Sequence, residues 1–261
     1  MTTDGLILPN ARNSLKEASL SLFLGAPVQK PERFREGFAR SDLSKTFQNF
    51  NLLTQVTMEV AKSPVGSHSK HAENIAGFRM EQFESNQLRY AIQAVNEPGR
   101  SYISLHDLLY ADWRNFKKMT LAHISDFSKL DPGLFVVAIG LNYWDEISWK
   151  SDSEVDEISK VLNRKSRFLP NEIFESEQTN LVGSFQKTAR TYERFELHIS
   201  KSERLISLKH ASVEEFVDSM ALAEIGNSPN VAEVLDNLHK SNKSMVKDML
   251  EEEIQNRIGV A

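Results

Sequence analysis

Arg79 and Arg89 flank the tripeptide Glu84-Ser85-Asn86, which suits a hairpin turn between two short strands. On such a hairpin both guanidiniums share a polar face with Gln87, and paired forks of this kind suit a carboxylate or a phosphate. Arg100 lies just beyond. The competing role is cross-strand pairing with Glu81 or Glu84, which is worth little. Further on, Tyr143 and Asp145 fall on one side of the stretch LFVVAIGLNYWDEISW, residues 134–149. Arg79, Arg89, Tyr143 and Asp145 are the candidate ligand-binding residues, expected in a groove between two halves of the chain.

Other chemistry is weaker. His68, His71 and Glu73 have the spacing to present imidazoles to a metal, but a first shell needs more ligands and a rigid frame. The chain has no cysteine, which removes thiolate sites and disulfides, so neither a metal nor a cofactor is expected. His106 next to Asp107 reads as a base beside its carboxylate, yet neighbours on a strand point to opposite faces. Asp107 better suits a turn or cap. His198 and His210 end two late strands and face either a cleft or ordinary packing. Ser104, Ser184 and Ser207 lack a nucleophile-elbow context, and no glycine pattern cradles a phosphate. Trp144 and Trp149 serve as stacking platforms or as core.

The elements that position these residues follow from hydrophobic patterning. Residues 134–149 alternate, apolar on both sides at first and amphipathic later, which predicts the longest strand, interior to its sheet, with Val137, Ile139 and Leu141 buried. A short helix is expected near residues 14–24, an edge strand over PVQKPERFREGF, and a helix capped by Ser41 with Leu43, Phe47 and Phe50 on one face. Residues 60–74 read as a flexible loop. Strands follow at IAGFRMEQF and QLRYAIQAV, then a turn at NEPGR and a helix over about 112–130 stopped by Asp131-Pro132-Gly133. Val155, Ile158 and Val161 mark a short helix, and residues 168–185 read as loop. RTYERFELHIS and ERLISLKH are strands. Ser212 with Glu215 forms a capping box for a helix with Val213, Phe216, Val217 and Met220 buried. Ser228-Pro229 starts a long last helix that Gly259 ends.

The expected fold is therefore α+β in a single domain, 1–261. It has an antiparallel-rich sheet with a long central strand and helices packed on one face, in two similar halves of about 25–133 and 134–261. No apolar run is long enough for a membrane span, and the start lacks the charge pattern of a signal peptide. A net charge of -5 makes nucleic-acid binding an unfavoured reading. A cytoplasmic location is expected.

The segments GFRMEQFESNQLRYAIQ, YADWRNF, AIGLNYWDEI, FELHISKSERLISLKH and LHKSNKSMVKDML, in that order from about Pro27 to the C-terminus, resemble a sporadically distributed bacterial conserved-protein family of unknown function. The family usually has arginine at the position of Asn142 and asparagine at that of Asp145. It has no established catalytic residues. Its patchy distribution resembles that of mobile-element and antiviral-defence genes. The leading expectation is a non-catalytic cytoplasmic interaction protein, a sensor or adaptor in a multi-gene bacterial locus. The rival is a small-ligand binder or enzyme with its site between the halves. Residues 212–258 carry more apolar side chains than one narrow stripe, so self-association as a homodimer or a protein partner is expected there.

Overall fold

The computed structural model describes residues 6–9, 13–63, 66–150 and 158–258, with side chains throughout except over 57–63 and 66–72. Its strands are β1 (Leu6–Ile7), β2 (Leu15–Leu24), β3 (Asn49–Ser63), β4 (Gly66–Glu84), β5 (Gln87–Glu97), β6 (Arg100–Asp107), β7 (Phe135–Trp149), β8 (Gln178–Gln186), β9 (Thr191–Ser200) and β10 (Leu205–Ala221). Its helices are α1 (Arg33–Arg40), α2 (Leu43–Thr46), α3 (Trp113–Ser128), α4 (Ile158–Val161), α5 (Leu222–Ile225), α6 (Pro229–Met249) and α7 (Glu252–Arg257). All strands join one ten-stranded antiparallel sheet in the order β3-β4-β5-β6-β2-β7-β10-β9-β8, with β1 added beside β7. The helices cover one face, as an α+β fold requires.

The halves share a plan. In each, the first strand lies at the sheet centre, and a meander then returns from the outer edge until its last strand pairs with the first, as β6 does with β2 and β10 with β7. The two first strands, β2 and β7, pair with each other. The short helix expected near residues 14–24 is instead the strand β2, Leu15–Leu24. Ala18, Leu20 and Leu22 are fully buried there.

β7 is interior, but at 15 residues it is shorter than β4 with 19 and β10 with 17. Ile139 and Leu141 are buried; Val137 is 38% exposed. The reason is a β-bulge: Phe23 pairs with Ala138 and Leu24 with Val136, so Val137 is the extra residue. It resets the alternation, and helix-facing residues change from Leu134 and Val136 to Ile139, Leu141, Tyr143 and Asp145.

Several other expectations are corrected. PVQKPERFREGF contains helix α1, whose Phe34 and Phe38 are buried in the core. The helix after Ser41 is only α2, with Asp42 at its start, and Phe50 belongs to β3. Residues 60–74 are mostly paired strand, Val60 opposite Ser69 and Gln55 opposite Asn74. The side chains of His68 and His71 lie outside the described residues, as do Val155 and Gly259. Residues 168–185 include a 3-10 turn at Asn171–Phe174 and most of β8. Ser212 starts no helix; it sits in β10 between Leu141 and Glu193. Sheet pairing on both sides overrides the local capping signal there.

The hairpin turn at 84–86 and the NEPGR turn are present, with Ser85, Asn86 and Gly99 at positive φ. α3 is capped by Asp112, whose Oδ1 accepts from Asn115 N at 2.9 Å. α6 begins with Ser228 as cap and Pro229 in its first turn. Its buried residues Val231, Leu235, Leu238, Asn242, Met245 and Met249 recur at alternating spacings of four and three, and form one seam against the sheet. The chain then breaks at Leu250, and α7 buries Ile254. The apolar side chains that suggested a partner at 212–258 are thus mostly covered: Met245, Met249 and Ile254 are each at most 1% exposed.

Candidate functional site

α6 spans two apolar clusters. Val231, Leu235 and Leu238 belong to the first, with α1, α3 and the central strands. Met245, Val246 and Met249 belong to the second, with β9, β10 and α7. Polar groups lie between them. One transverse row of helix-facing residues runs Tyr90, Asp107, Ala18, Tyr143, His210 across neighbouring strands. Asp145 is two residues along β7 from Tyr143, on the same face.

Asp145 and His210 are 5% and 4% exposed. His210 Nε2 lies 2.9 Å from Asp145 Oδ2, and Ser14 Oγ donates to Asp145 Oδ1. Asn242 Nδ2 donates to the Leu141 carbonyl at 3.0 Å, which turns its Oδ1 towards His210 Nδ1, also at 3.0 Å. Oδ1 can only accept, so Nδ1 carries a proton. Nε2 faces the Asp145 carboxyl group. Every polar atom of this buried chain has a partner, as burial demands.

Beside it, the Tyr143 hydroxyl is 2.8 Å from His239 Nδ1. Burial, helped by Tyr110 and the Asp145 charge, holds the Tyr143 phenol well above its ordinary range. His239 is pushed down to about 4, first by burial and then by Lys243, so its imidazole is neutral near pH 7. His239 stacks on Trp113, centroids 4.4 Å apart and planes within 5°. Trp113 Nε1 and Lys117 Nζ both reach Asp236, each at 2.8 Å, and tie the start of α3 to α6.

These groups surround a cavity of about 280 Å³, lined by Asn13, Leu15, Tyr110, Trp113, Tyr143, Asp145, His210, His239, Lys243 and Ile258 among others. It lies between α3 of the first half and α6 of the second, over the central strand. Of the four candidate residues, Tyr143 and Asp145 meet here. Arg79 and Arg89 do not. Arg79 Nε contacts Glu81 two residues along the same strand at 2.9 Å, and Arg89 pairs with Glu84 across the hairpin, so each guanidinium faces a carboxylate of its own hairpin. Arg100 pairs with Glu97 at 2.8 Å.

His106 and Asp107 face opposite ways. His106 bonds Glu17 and Ser104 at 2.5 and 2.8 Å, while Asp107 is buried on the helix side. Burial pushes Asp107 up to about 6, against the opposing pull of the Leu109 N–H bond and Arg89. Trp144 lies on the uncovered face, with the ammoniums of Lys16 and Lys209 4.3 and 4.7 Å from its ring. Trp149 packs against the second apolar cluster. Among the described residues no group of three or more His, Asp or Glu is placed to hold a metal ion.

Sequence reasoning missed His239 and Asn242. A signal for Asn242 exists: it occupies a seam position of α6, between Leu238 and Met245, where a lone polar residue demands buried partners. His239 has no such mark.

Fold and site together define an α+β protein with a single antiparallel sheet and a polar-floored cavity between its halves. No family model, curated protein or solved structure matches the chain. No helix among the described residues is long and apolar enough to cross a membrane.

Proposed function

We propose that this chain is a small-ligand-binding protein that acts as a sensor in the cytoplasm. The observation that carries this reading is the cavity itself. Polar groups converge on it from α3, α6, β7 and β10, and its occupant touches both halves. A ligand there favours whichever arrangement of the halves it fits, which is the physical basis of sensing. A non-catalytic role suits the Asp145–His210 pair, because Ser14 and Asn242 already hold both partners.

The test is ligand-observed NMR with a fragment library on the wild type and on Ala111→Trp. Ala111 is an exposed residue of the cavity lining, so the indole blocks the site with little cost to the fold. Fragments that bind the wild type and not A111W support the reading. No binders, or binders indifferent to A111W, overturn it.

A further inference from the structure

The cavity's own chemistry narrows the ligand, on the reading that the cavity is the binding site. Charge comes first. Asp145 is held by hydrogen bonds to His210 and Ser14. Both Asp112 oxygens bond Asn115, at 2.9 and 2.6 Å, and the carboxylate sits at the positive end of α3. Lys243 has an interaction of its own within the chain. Asp112 and Lys243 are of opposite sign, so the lining selects neither an anion nor a cation, and a charged ligand entering it loses hydration.

Size comes second. A cavity of about 280 Å³ is larger than the roughly 150 Å³ that holds benzene and just below the range of about 300–1,000 Å³ for drug-sized ligands. One or two rings fit. The walls supply Leu15, Val246 and Ile258 together with Tyr110, Trp113 and Tyr143, which favour a flat apolar body.

Polarity comes third. His239 uses Nδ1 on Tyr143, and its Nε2 makes no hydrogen bond to a described residue. A neutral imidazole bonded to a hydroxyl can exchange tautomers, because the hydroxyl both donates and accepts. Nε2 is then donor or acceptor as the ligand requires.

From these three observations we infer that the cavity takes an uncharged, planar heterocycle of one or two rings. The ligand carries a donor–acceptor edge of the lactam or nucleobase kind, and that edge bonds His239.

Four probes test this at pH 7.5 by calorimetry and thermal shift: 2-pyridone and adenine, both uncharged, against benzoate and benzylamine. The expected result is that an uncharged probe binds at least tenfold more tightly than either charged one. It should raise Tm with concentration, and it should lose about tenfold in affinity in His239→Ala, the worth of one hydrogen bond. His239→Gln, whose amide offers both a donor and an acceptor, should retain part of that affinity. Tighter binding of benzoate or benzylamine overturns the ligand class, and so does an uncharged binder indifferent to H239A. If those charged probes are blocked by A111W, the cavity stands as the site and only its ligand class falls. If none of the four binds while library fragments remain sensitive to A111W, the class falls in the same way. If nothing at all depends on A111W, the site reading itself has failed.

Discussion

Asp145 Oδ2 and His210 Nε2 lie 2.9 Å apart across two neighbouring strands, and neither side chain is more than 7% exposed. Such a pair is costly to break and cheaper to replace whole, because a lone member is left buried without its partner. Asp145→Ala and His210→Ala should each lower unfolding stability by about 3–5 kcal/mol in urea titrations. The double variant Asp145→Leu/His210→Phe should recover part of that loss. Single losses under about 1 kcal/mol would show that the two side chains act independently.

Two shifted groups pull the pH dependence in opposite directions. Asp107 rises to about 6 in the fold from 3.8, so the folded chain binds its proton first and stability falls as pH climbs from about 4 to 6. His239 falls to about 4 from 6.5, so the unfolded chain binds its proton first and stability rises over about pH 4 to 6.5. Each effect is about 3 kcal/mol, and in the wild type they largely cancel. Asp107→Asn should therefore leave a rise in stability between pH 4 and 6, and His239→Gln should leave a fall. Parallel curves for all three proteins would contradict both shifts.

Gly183 lies under an aromatic ring. A Cβ built there would meet Phe195 Cε1 at 2.2 Å. Gly183→Ala should cost about 1–3 kcal/mol through overpacking. Phe195→Leu in the same chain should make the added methyl less costly. A non-additive double-mutant cycle in chemical denaturation is the expected readout.

The β4–β5 turn holds Ser85 at φ 49° and Asn86 at φ 64°. Glycine adopts that backbone without a Cβ clash, so Asn86→Gly should raise Tm, with a gain of up to about 1 kcal/mol. A lower Tm would show that the Asn86 side chain contributes more than its backbone costs.

The local parts of the fold were legible in the sequence. The turn at 84–86, the Pro98-Gly99 turn, the helix start near Asp112 and the Ser228-Pro229 start are each decided by a few adjacent residues. Distant pairing hid the rest. Ser212 and Glu215 mimic a capping box, yet Leu141 and Glu193 flank Ser212 and hold it extended. Residues 14–24 look like a short helix until β6 and β7 are placed on either side. The site suffered most: Asp145 and His210 are 65 residues apart, and Tyr143 and His239 are 96 apart. No spacing rule links such residues; only the β7–β10 register and the seam of α6 bring them together.

The placing of β2 at the sheet centre governs how the chain is made. Ser14 meets Asp145 across 131 residues, and Leu20 pairs with Leu105 and Leu141. A ribosome working at about 5–20 residues per second therefore exposes β2 on the order of ten seconds before β6 appears, and longer before β7. Throughout that interval Ala18, Leu20 and Leu22, all fully buried in the finished molecule, have no strand to pair with. The nascent chain is open to capture by holding chaperones in this window, and slower translation between β2 and β6 lengthens it.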